Sequence, residues 1–167
     1  DPALAQATAE LMATTLKKPE AATASRDAQP GQQPMALAQV DDLLAVPGFT
    51  PPMLDKLKDF IIFLPRATPI NVNTASAEVL SARIDALSLS DAATLVENRN
   101  TASFRNLADF IHRLPGKSIS LPASDASVIT NYFLVNGKVR MNRAGLEMQA
   151  LIERNGSNTK LIRIREY

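Results

Sequence analysis

Residues 68–80 read TPINVNTASAEVL and decide the fold, because they join a short extended run to the start of a helix. Pro69 keeps the residue before it extended, and apolar residues alternate with asparagines over 70–73, as in a strand. Thr74 is the favoured N-cap of the following helix, with Asn73 as its rival. The stretch therefore predicts a strand that leads directly into a capped helix.

The helix predicted after this junction covers residues 75–86. Glu78 lies in its first turn, where a carboxylate suits the positive end of the helix dipole. Its apolar residues recur at the spacing of a helix that packs against a core. They are Val79, Leu80, Ile84 and Leu87.

Upstream of the junction the chain predicts three helices and one long loop. An amphipathic helix covers residues 2–18. Residues 20–34 are rich in Ala, Ser, Thr, Gln, Gly and Pro without periodicity, which predicts a mobile loop. Two further helices, 35–46 and 51–64, are separated by a turn at Pro47-Gly48 and form one helix–turn–helix unit.

A second helix–turn–helix unit is predicted downstream. The junction helix is followed by a turn at 87–89 and by a helix with Ser90 as its N-cap. We expect Leu89 to insert between the two helices. A third helix begins at Asn106, which resembles a capping box together with Asp109 three residues later.

From residue 131 the hydrophobic period changes to two, which predicts strands. Four strands are expected, over residues 132–135, 138–142, 146–154 and 159–166. Their turns are expected at Asn136-Gly137, Ala144-Gly145 and Asn155-Gly156. The alternation predicts an antiparallel sheet with one polar face and one apolar face. The apolar face needs a cover, either the helical part or a segment outside this chain.

These patterns predict an α+β protein with two domains. The helical domain covers residues 1–130, including the loop at 20–34. The antiparallel strands cover residues 131–167. Because the chain begins with Asp1 instead of Met, we expect a processed or truncated product.

The composition excludes several classes of protein. Lys and Arg number 18 and Asp and Glu number 17, so the long-range positive field of a nucleic-acid-binding protein is absent. No Cys is present, which excludes disulfides, thiolate chemistry and a Cys-ligated zinc site. No apolar run approaches the roughly 20 residues that cross a membrane as a helix.

No catalytic, metal-binding or nucleic-acid-binding residue is predicted. The single His112 lies on a predicted helix without a Cys partner and is interpreted as structural. The acidic pairs Asp41-Asp42 and Asp55/Asp59 are interpreted as solvated charge. The chain has no Gly-rich phosphate loop, nucleophile elbow or HExxH motif. We therefore expect no enzyme, and a single sequence does not name partner-binding residues.

The two helix–turn–helix units resemble the helix-hairpin-helix (SAM-like) units of DNA-binding proteins. In those proteins, backbone N–H groups of a glycine-containing turn meet a phosphate. Here the turn at 87–90 reads LSLS and has no glycine. The turn at 46–49 reads VPGF and has a proline where an N–H donor would be useful. Both turns disfavour phosphate binding, and DNA binding is kept as the alternative function.

Five pieces of sequence occur in a distinctive order. They are VDDLLAVPGF at 40–49, FLP at 63–65, TPINVNTAS at 68–76, the stretch at 99–110, and YFLV at 132–135. Together they resemble the general secretion pathway protein K family, the large minor pseudopilins of bacterial type II secretion. The resemblance implies an all-helical insertion domain beside a small antiparallel pseudopilin sheet.

The resemblance also implies a location and a function. The chain would be the periplasmic part of a protein anchored in the inner membrane, with the leader, the hydrophobic N-terminal helix and the next strand outside it. It would form a tip complex with minor pseudopilins similar to general secretion pathway proteins I and J, and it would cap the pseudopilus. A receptor for secreted substrates is a third interpretation.

No cofactor is expected from the residues themselves. Some relatives bind calcium, which takes about six to eight clustered oxygen ligands. The Asp-rich segment of the family is reduced here to Glu20 and Asp27 within residues 17–34. The sequence therefore points to no calcium site.

Overall fold

The computed structural model describes residues 2–16, 37–85, 87–116 and 121–166. The chain divides into two units, Asp1–Thr68 and Pro69–Tyr167. This division falls at the start of the junction, and the domain boundary expected at 130/131 stays a prediction. The loop predicted at 20–34 lies outside the described residues.

The first unit consists of short helices around a small core. They are helix α1 (Pro2–Leu16), a 3-10 helix (Val40–Ala45) and helix α2 (Pro51–Leu57). The core buries Leu43, Val46 and Leu54. Leu4 and Leu11 of α1 pack against these residues, so the amphipathic face predicted for α1 contacts this core.

The helix predicted over 35–46 is wrong in its length and type. Within residues 37–46, only Val40–Ala45 is helical, and this segment is a 3-10 helix. The Asp42 carboxylate accepts hydrogen bonds from the backbone N–H groups of Ala38 (2.8 Å) and Gln39 (3.0 Å). A side chain that caps these N–H groups fixes the start of the helix at this point.

The helix predicted over 51–64 is also too long, because α2 ends at Leu57. After the turn at 58–60, Ile61 and Phe63 pack against the core while Ile62 is 45% exposed. Burial of every second residue belongs to extended chain and not to a helix. Residues 61–64 therefore close the core as an extended segment.

The described residues of the second unit form three helices and five strands. They are β1 (Ile70–Asn71), α3 (Ala77–Arg83), α4 (Leu89–Thr101), α5 (Leu107–Arg113), β2 (Ala126–Ser127), β3 (Tyr132–Met141), β4 (Ala144–Asn155) and β5 (Asn158–Glu166). Strands β1 and β2 pair in parallel, and β3, β4 and β5 form an antiparallel sheet in that order. The predicted α+β class is confirmed.

The core of the helical part of this unit forms around the junction. Val72, Leu80 and Phe110 are 0% exposed. The rings of Phe104 and Phe110 meet edge to face, with their centroids 4.9 Å apart. Leu95 of α4 completes the contact, so the predicted apolar faces of the helices meet in one cluster.

The predicted cap of α3 is wrong, because Ser76 and not Thr74 or Asn73 is the N-cap. The Ser76 hydroxyl accepts a hydrogen bond from the Val79 N–H at 3.4 Å. Thr74 lies instead in a turn, where its N–H donates to the Asn71 carbonyl at 3.1 Å. The chain thus makes a turn between strand and helix that the sequence pattern did not reveal.

The predicted cap of α4 is wrong by two residues, since Ser88 and not Ser90 is the N-cap. Leu87 is 3% exposed and fills the core, whereas Leu89 is 54% exposed. Leu89 therefore does not insert between the helices as expected. The cap predicted for α5 is confirmed, because Asn106 Oδ1 accepts a hydrogen bond from the Asp109 N–H at 2.9 Å.

The sheet has three strands where four were predicted. Asn136-Gly137 is not a turn but lies inside β3, where Gly137 pairs with Met148. The first hairpin turn is at Asn142-Arg143 and not at Ala144-Gly145. Asn142 takes the positive φ of 51° that the turn requires, which Asn tolerates better than most residues. The second hairpin turn is at Gly156-Ser157, one residue later than predicted.

The predicted apolar face of β4 is only partly confirmed, because its buried residue, Leu151 at 2% exposed, lies on the face predicted to be polar. Phe133, Val135 and Val139 of β3 lie opposite Ile152, Ala150 and Leu146 on this face. Beyond Leu151 a register shift leaves the alternation with β5 irregular. Val135 is 46% exposed and Ile164 is 52% exposed, so the described residues leave this face largely open.

Replacement of a core leucine tests this packing. We expect Leu80→Ala to lower the free energy of unfolding by about 2–5 kcal/mol, because Leu80 is fully buried and the side chain leaves a cavity. Leu89→Ala is the matched control, also on a helix but exposed, and we expect less than about 0.5 kcal/mol. Urea unfolding followed by circular dichroism measures both. Equal losses would contradict the described core.

Candidate interaction sites

The strand-to-helix junction is held by the side chain of Asn73. Its Nδ2 donates a hydrogen bond to the Phe104 carbonyl at 2.9 Å, and its Oδ1 accepts one from the Phe104 N–H at 2.8 Å. Both ends of the amide thus pair with the backbone of a residue 31 positions away. Both the nitrogen and the oxygen of the amide are thus engaged in holding Phe104.

The neighbouring Asn71 is used in the same way. Its Oδ1 accepts a hydrogen bond from the Asn73 N–H at 2.9 Å, which is a local Asx turn. Its Nδ2 donates to Thr130 Oγ1 at 2.6 Å, beside the pairing of β1 with β2. The side chains of both asparagines therefore satisfy polar groups at the junction.

Arg99 is a third member of this network, and the sequence analysis did not identify it. Its Nη1 donates hydrogen bonds to the carbonyls of Val72 (2.8 Å) and Ala75 (2.5 Å). Burial lowers the pKa of the Arg99 guanidinium, which remains charged because an arginine pKa starts so high. One signal existed, since Arg99 lies one turn after the buried Leu95 on the same helix face.

In the turn before α4, the Ser88 hydroxyl and the Asp91 N–H are already hydrogen-bonded to each other's residue. The Ser88 hydroxyl accepts from the Asp91 N–H (3.1 Å) and donates to the Asp91 carboxylate (2.7 Å). A carboxylate in the first turn of the helix occupies the positive end of its dipole and repels an anion. This contact weighs against DNA binding at the turn.

The turn before α2 is covered from within its own unit. Gly48 has a φ of 101°, and a Cβ on it would lie 3.1 Å from Leu4 Cδ1 of α1. A phosphate would have to displace that leucine to reach the glycine. The geometry of this turn also weighs against the nucleic-acid alternative.

A charged cluster lies on α5. Arg113 makes a bidentate contact with Asp109, with Nε–Oδ1 at 2.9 Å and Nη2–Oδ2 at 2.8 Å, and its guanidinium lies 5.2 Å from the ring centroid of Phe104. Hydrogen bonds from the Arg105 backbone N–H and from Arg113 hold the pKa of Asp109 below its usual value. The cluster thus connects α5 to Phe104, the residue whose backbone also binds the Asn73 side chain.

The other titratable residues from the sequence analysis are not brought together. His112 is exposed on α5, Asp55 pairs with Lys58 at 3.2 Å, and Asp42 is a half-buried cap and not solvated charge as expected. Over residues 2–16, 37–85, 87–116 and 121–166, no three His, Cys, Asp or Glu residues are placed to hold a metal ion. The calcium that the family resemblance suggested thus finds no fitting donor set there.

None of the helices in the described part of the chain is both long and apolar enough to span a membrane.

Comparison with known proteins identifies the helical segment. Residues 70–130, which hold the junction, α3, α4, α5 and β2, match the family "Type II secretion system (T2SS), protein K". The match covers 61 of the 167 residues and shows similarity to protein K over that segment. No curated protein matches the chain in sequence.

The fold likeness extends beyond that segment. A chain in the crystal structure of the GspK-GspI-GspJ complex from the type 2 secretion system of enterotoxigenic Escherichia coli superposes with a TM-score of 0.67 and 22% identity. The likeness covers 84% of the present chain but 52% of that chain, so the present chain spans about half of its relative. The resemblance to protein K is thus supported both by sequence over the helices and by fold over most of the chain.

The pairing of Asn73 with Phe104 can be tested by mutation. We expect Asn73→Ala to lower the free energy of unfolding by about 1–3 kcal/mol, because both backbone groups of Phe104 lose their partner. Asn131→Ala, at an exposed position before β3, is the matched control and should have little effect. Chemical denaturation gives both values. A neutral Asn73→Ala would show that the paired hydrogen bonds contribute nothing.

The Asp109 contacts predict a pH effect. The pKa of Asp109 is lower in the folded protein than in the unfolded chain. The ionised carboxylate therefore stabilises the fold above the unfolded pKa of about 3.9, and this stabilisation is lost as pH falls through the folded pKa. We expect Asp109→Asn to have a lower melting temperature at pH 7 and to approach the parent protein as pH falls through the folded pKa of Asp109. Melting curves between pH 7 and 2 measure this. A constant difference over that range would contradict the assignment.

Proposed function

We propose that this chain is the periplasmic part of a minor pseudopilin of type II secretion. The observation that carries the proposal is the combination, in one chain, of a helical segment of the protein K family and a three-stranded antiparallel sheet with the fold of a GspK-GspI-GspJ chain. Either part alone occurs in other contexts. The junction motif in particular is shared with helix-hairpin-helix proteins, and the sheet after it is the more discriminating feature.

The proposed partners are other minor pseudopilins, those similar to GspI and GspJ. The solved relative comes from a complex of these three proteins, which supports the same kind of assembly here. We propose an assembly role without catalysis and a periplasmic location through an anchor outside this chain. Secreted substrates are a further candidate partner.

The proposed position is the tip of the pseudopilus. The helical domain of residues 1–130 is much larger than the strands at 131–167, and such bulk would block addition of another subunit above it. A subunit that joins on one side only acts as a cap. The domain boundary at 130/131 is part of this proposal.

Co-purification tests the proposed function. We expect this chain to form a stoichiometric complex with the periplasmic parts of the GspI-like and GspJ-like pseudopilins of the same secretion system, and to elute with them in size-exclusion chromatography. A structure of the complex should place the helical domain above the last subunit. No complex at micromolar concentrations, or a helical domain beside the filament with room for another subunit above, would contradict the proposal.

The nucleic-acid alternative needs its own measurement. Duplex binding driven by phosphate contacts weakens steeply as salt rises. We expect no binding of a fluorescent duplex to the chain even at low ionic strength. The Asp91 N–H in the turn before α4 is already hydrogen-bonded, and Leu4 covers Gly48 in the turn before α2. Salt-dependent binding that is lost in a Gly48→Ala variant would favour the DNA-binding function.

A further inference from the structure

The first hairpin of the sheet extends beyond its third strand. Strand β5 pairs with β4 only as far as the Met148–Glu166 pair, whereas β3 and β4 continue to pair with each other up to Met141 and Ala144. Residues 138–147, which we call the finger, are thus a two-stranded ribbon among the described residues. A two-stranded ribbon has little stability of its own, so this part of the sheet lacks the support that the rest has.

One side of the finger is apolar and exposed. Val139, Met141 and Leu146 lie on the same face, and their side chains are 52%, 73% and 37% exposed. Single exposed apolar residues are common, but three of them together at the end of a ribbon form a patch. Such a patch is typical of a surface that contacts another macromolecule.

The other side of the finger is basic. Lys138 forms an ion pair with Glu147, while Arg140 and Arg143 have no hydrogen-bond or ion-pair partner in the described ranges. The finger thus carries three cations against one carboxylate. Residues 131–167 as a whole contain seven Lys and Arg and three Glu, although the full chain is nearly neutral.

A groove lies on the basic side. Arg140 stands opposite Gly145, and a Cβ on that glycine would have no heavy atom within 4 Å. Lys138, Val139, Arg140, Gly145 and Glu147 line an open groove of about 510 Å³ at this point. The missing side chain at Gly145 therefore leaves space beside Arg140 for a carboxylate from outside.

We propose that the finger is a docking element for an acidic surface of a partner pseudopilin. A carboxylate of the partner occupies the groove over Gly145 and pairs with Arg140, while Met141 and Val139 contact an apolar patch beside it. This inference rests on the proposed function, since it assigns the partner to the same tip complex. Unpaired arginines favour planar carboxylates, which they bind with two hydrogen bonds.

A protein partner fits the finger better than an anionic membrane does. The apolar and basic sides are opposite faces of one ribbon, so a flat bilayer would contact only one of them. Lipid-binding basic segments also carry about four to eight cations, more than the finger has. A partner protein can contact both faces from the sides and the end of the ribbon.

Charge reversal of one arginine tests the proposal in the complex with GspI-like and GspJ-like pseudopilins. We expect Arg140→Glu to weaken complex formation about tenfold, as measured by isothermal titration calorimetry, which corresponds to about 1.4 kcal/mol. Lys160→Glu is the matched control, with the same charge change on β5 outside the finger, and should change affinity less than about twofold. Met141→Ser should also weaken the complex. Circular dichroism checks that each variant is folded.

The outcomes separate the finger from the proposed function. If no complex forms with the parent protein, both are wrong. If the complex forms and Arg140→Glu and Met141→Ser bind as tightly as the parent, the finger proposal alone is wrong. Equal weakening by Arg140→Glu and Lys160→Glu would indicate a diffuse charge effect and would also overturn it. Sedimentation with phosphatidylglycerol vesicles that depends on Arg140 would assign the finger to the membrane instead.

Discussion

The helical part of the second unit depends on the hydrogen bonds that hold residues 71–75 in place. Asn73 pairs with both backbone groups of Phe104, and Arg99 binds the carbonyls of Val72 and Ala75. A turn at this position exposes backbone groups that no strand or helix satisfies, and their burial without partners would be costly. The side chains that solve this problem come from distant parts of the chain. They also fix where α4 and the segment before α5 lie.

The features that the sequence predicted correctly are local ones. Asn106 caps α5 through the Asp109 N–H three residues later, and an N-cap needs nothing beyond that spacing, whereas the Asp109 carboxylate accepts from Arg105 and so does not complete a capping box. The errors arose where contacts with residues outside the predicted element determine the local structure. Thr74 has the chemistry of a cap, but the turn closed on Asn71 moves the helix start to Ser76. Asn136-Gly137 has the composition of a turn, but its pairing with β4 keeps it in a strand, since register depends on the partner strand.

The candidate interaction sites were less predictable than the fold. Arg99 was not predicted, because its hydrogen-bond partners are 24 and 27 residues away in the sequence. Which residues face each other on the basic side of the finger depends only on the register of β3 and β4. Arg140 is notable only because it stands opposite a glycine, and that pairing followed from a turn at Asn142-Arg143 that the sequence analysis placed two residues later. An error of two residues in a hairpin turn conceals which side chains face each other.

The parallel pairing of β1 with β2 has a mechanical consequence. Ile70 and Asn71 lie beside Ala126 and Ser127, and the Asn71 side chain also binds Thr130. A pulling force applied along the backbone from residue 69 would therefore pass across this short pairing to β3 and bypass α3, α4 and α5. The three helices lie between β1 and β2 in sequence and carry no tension as long as these two strands stay paired. Repeated loading of the sheet from this end of the chain would thus leave the three helices folded.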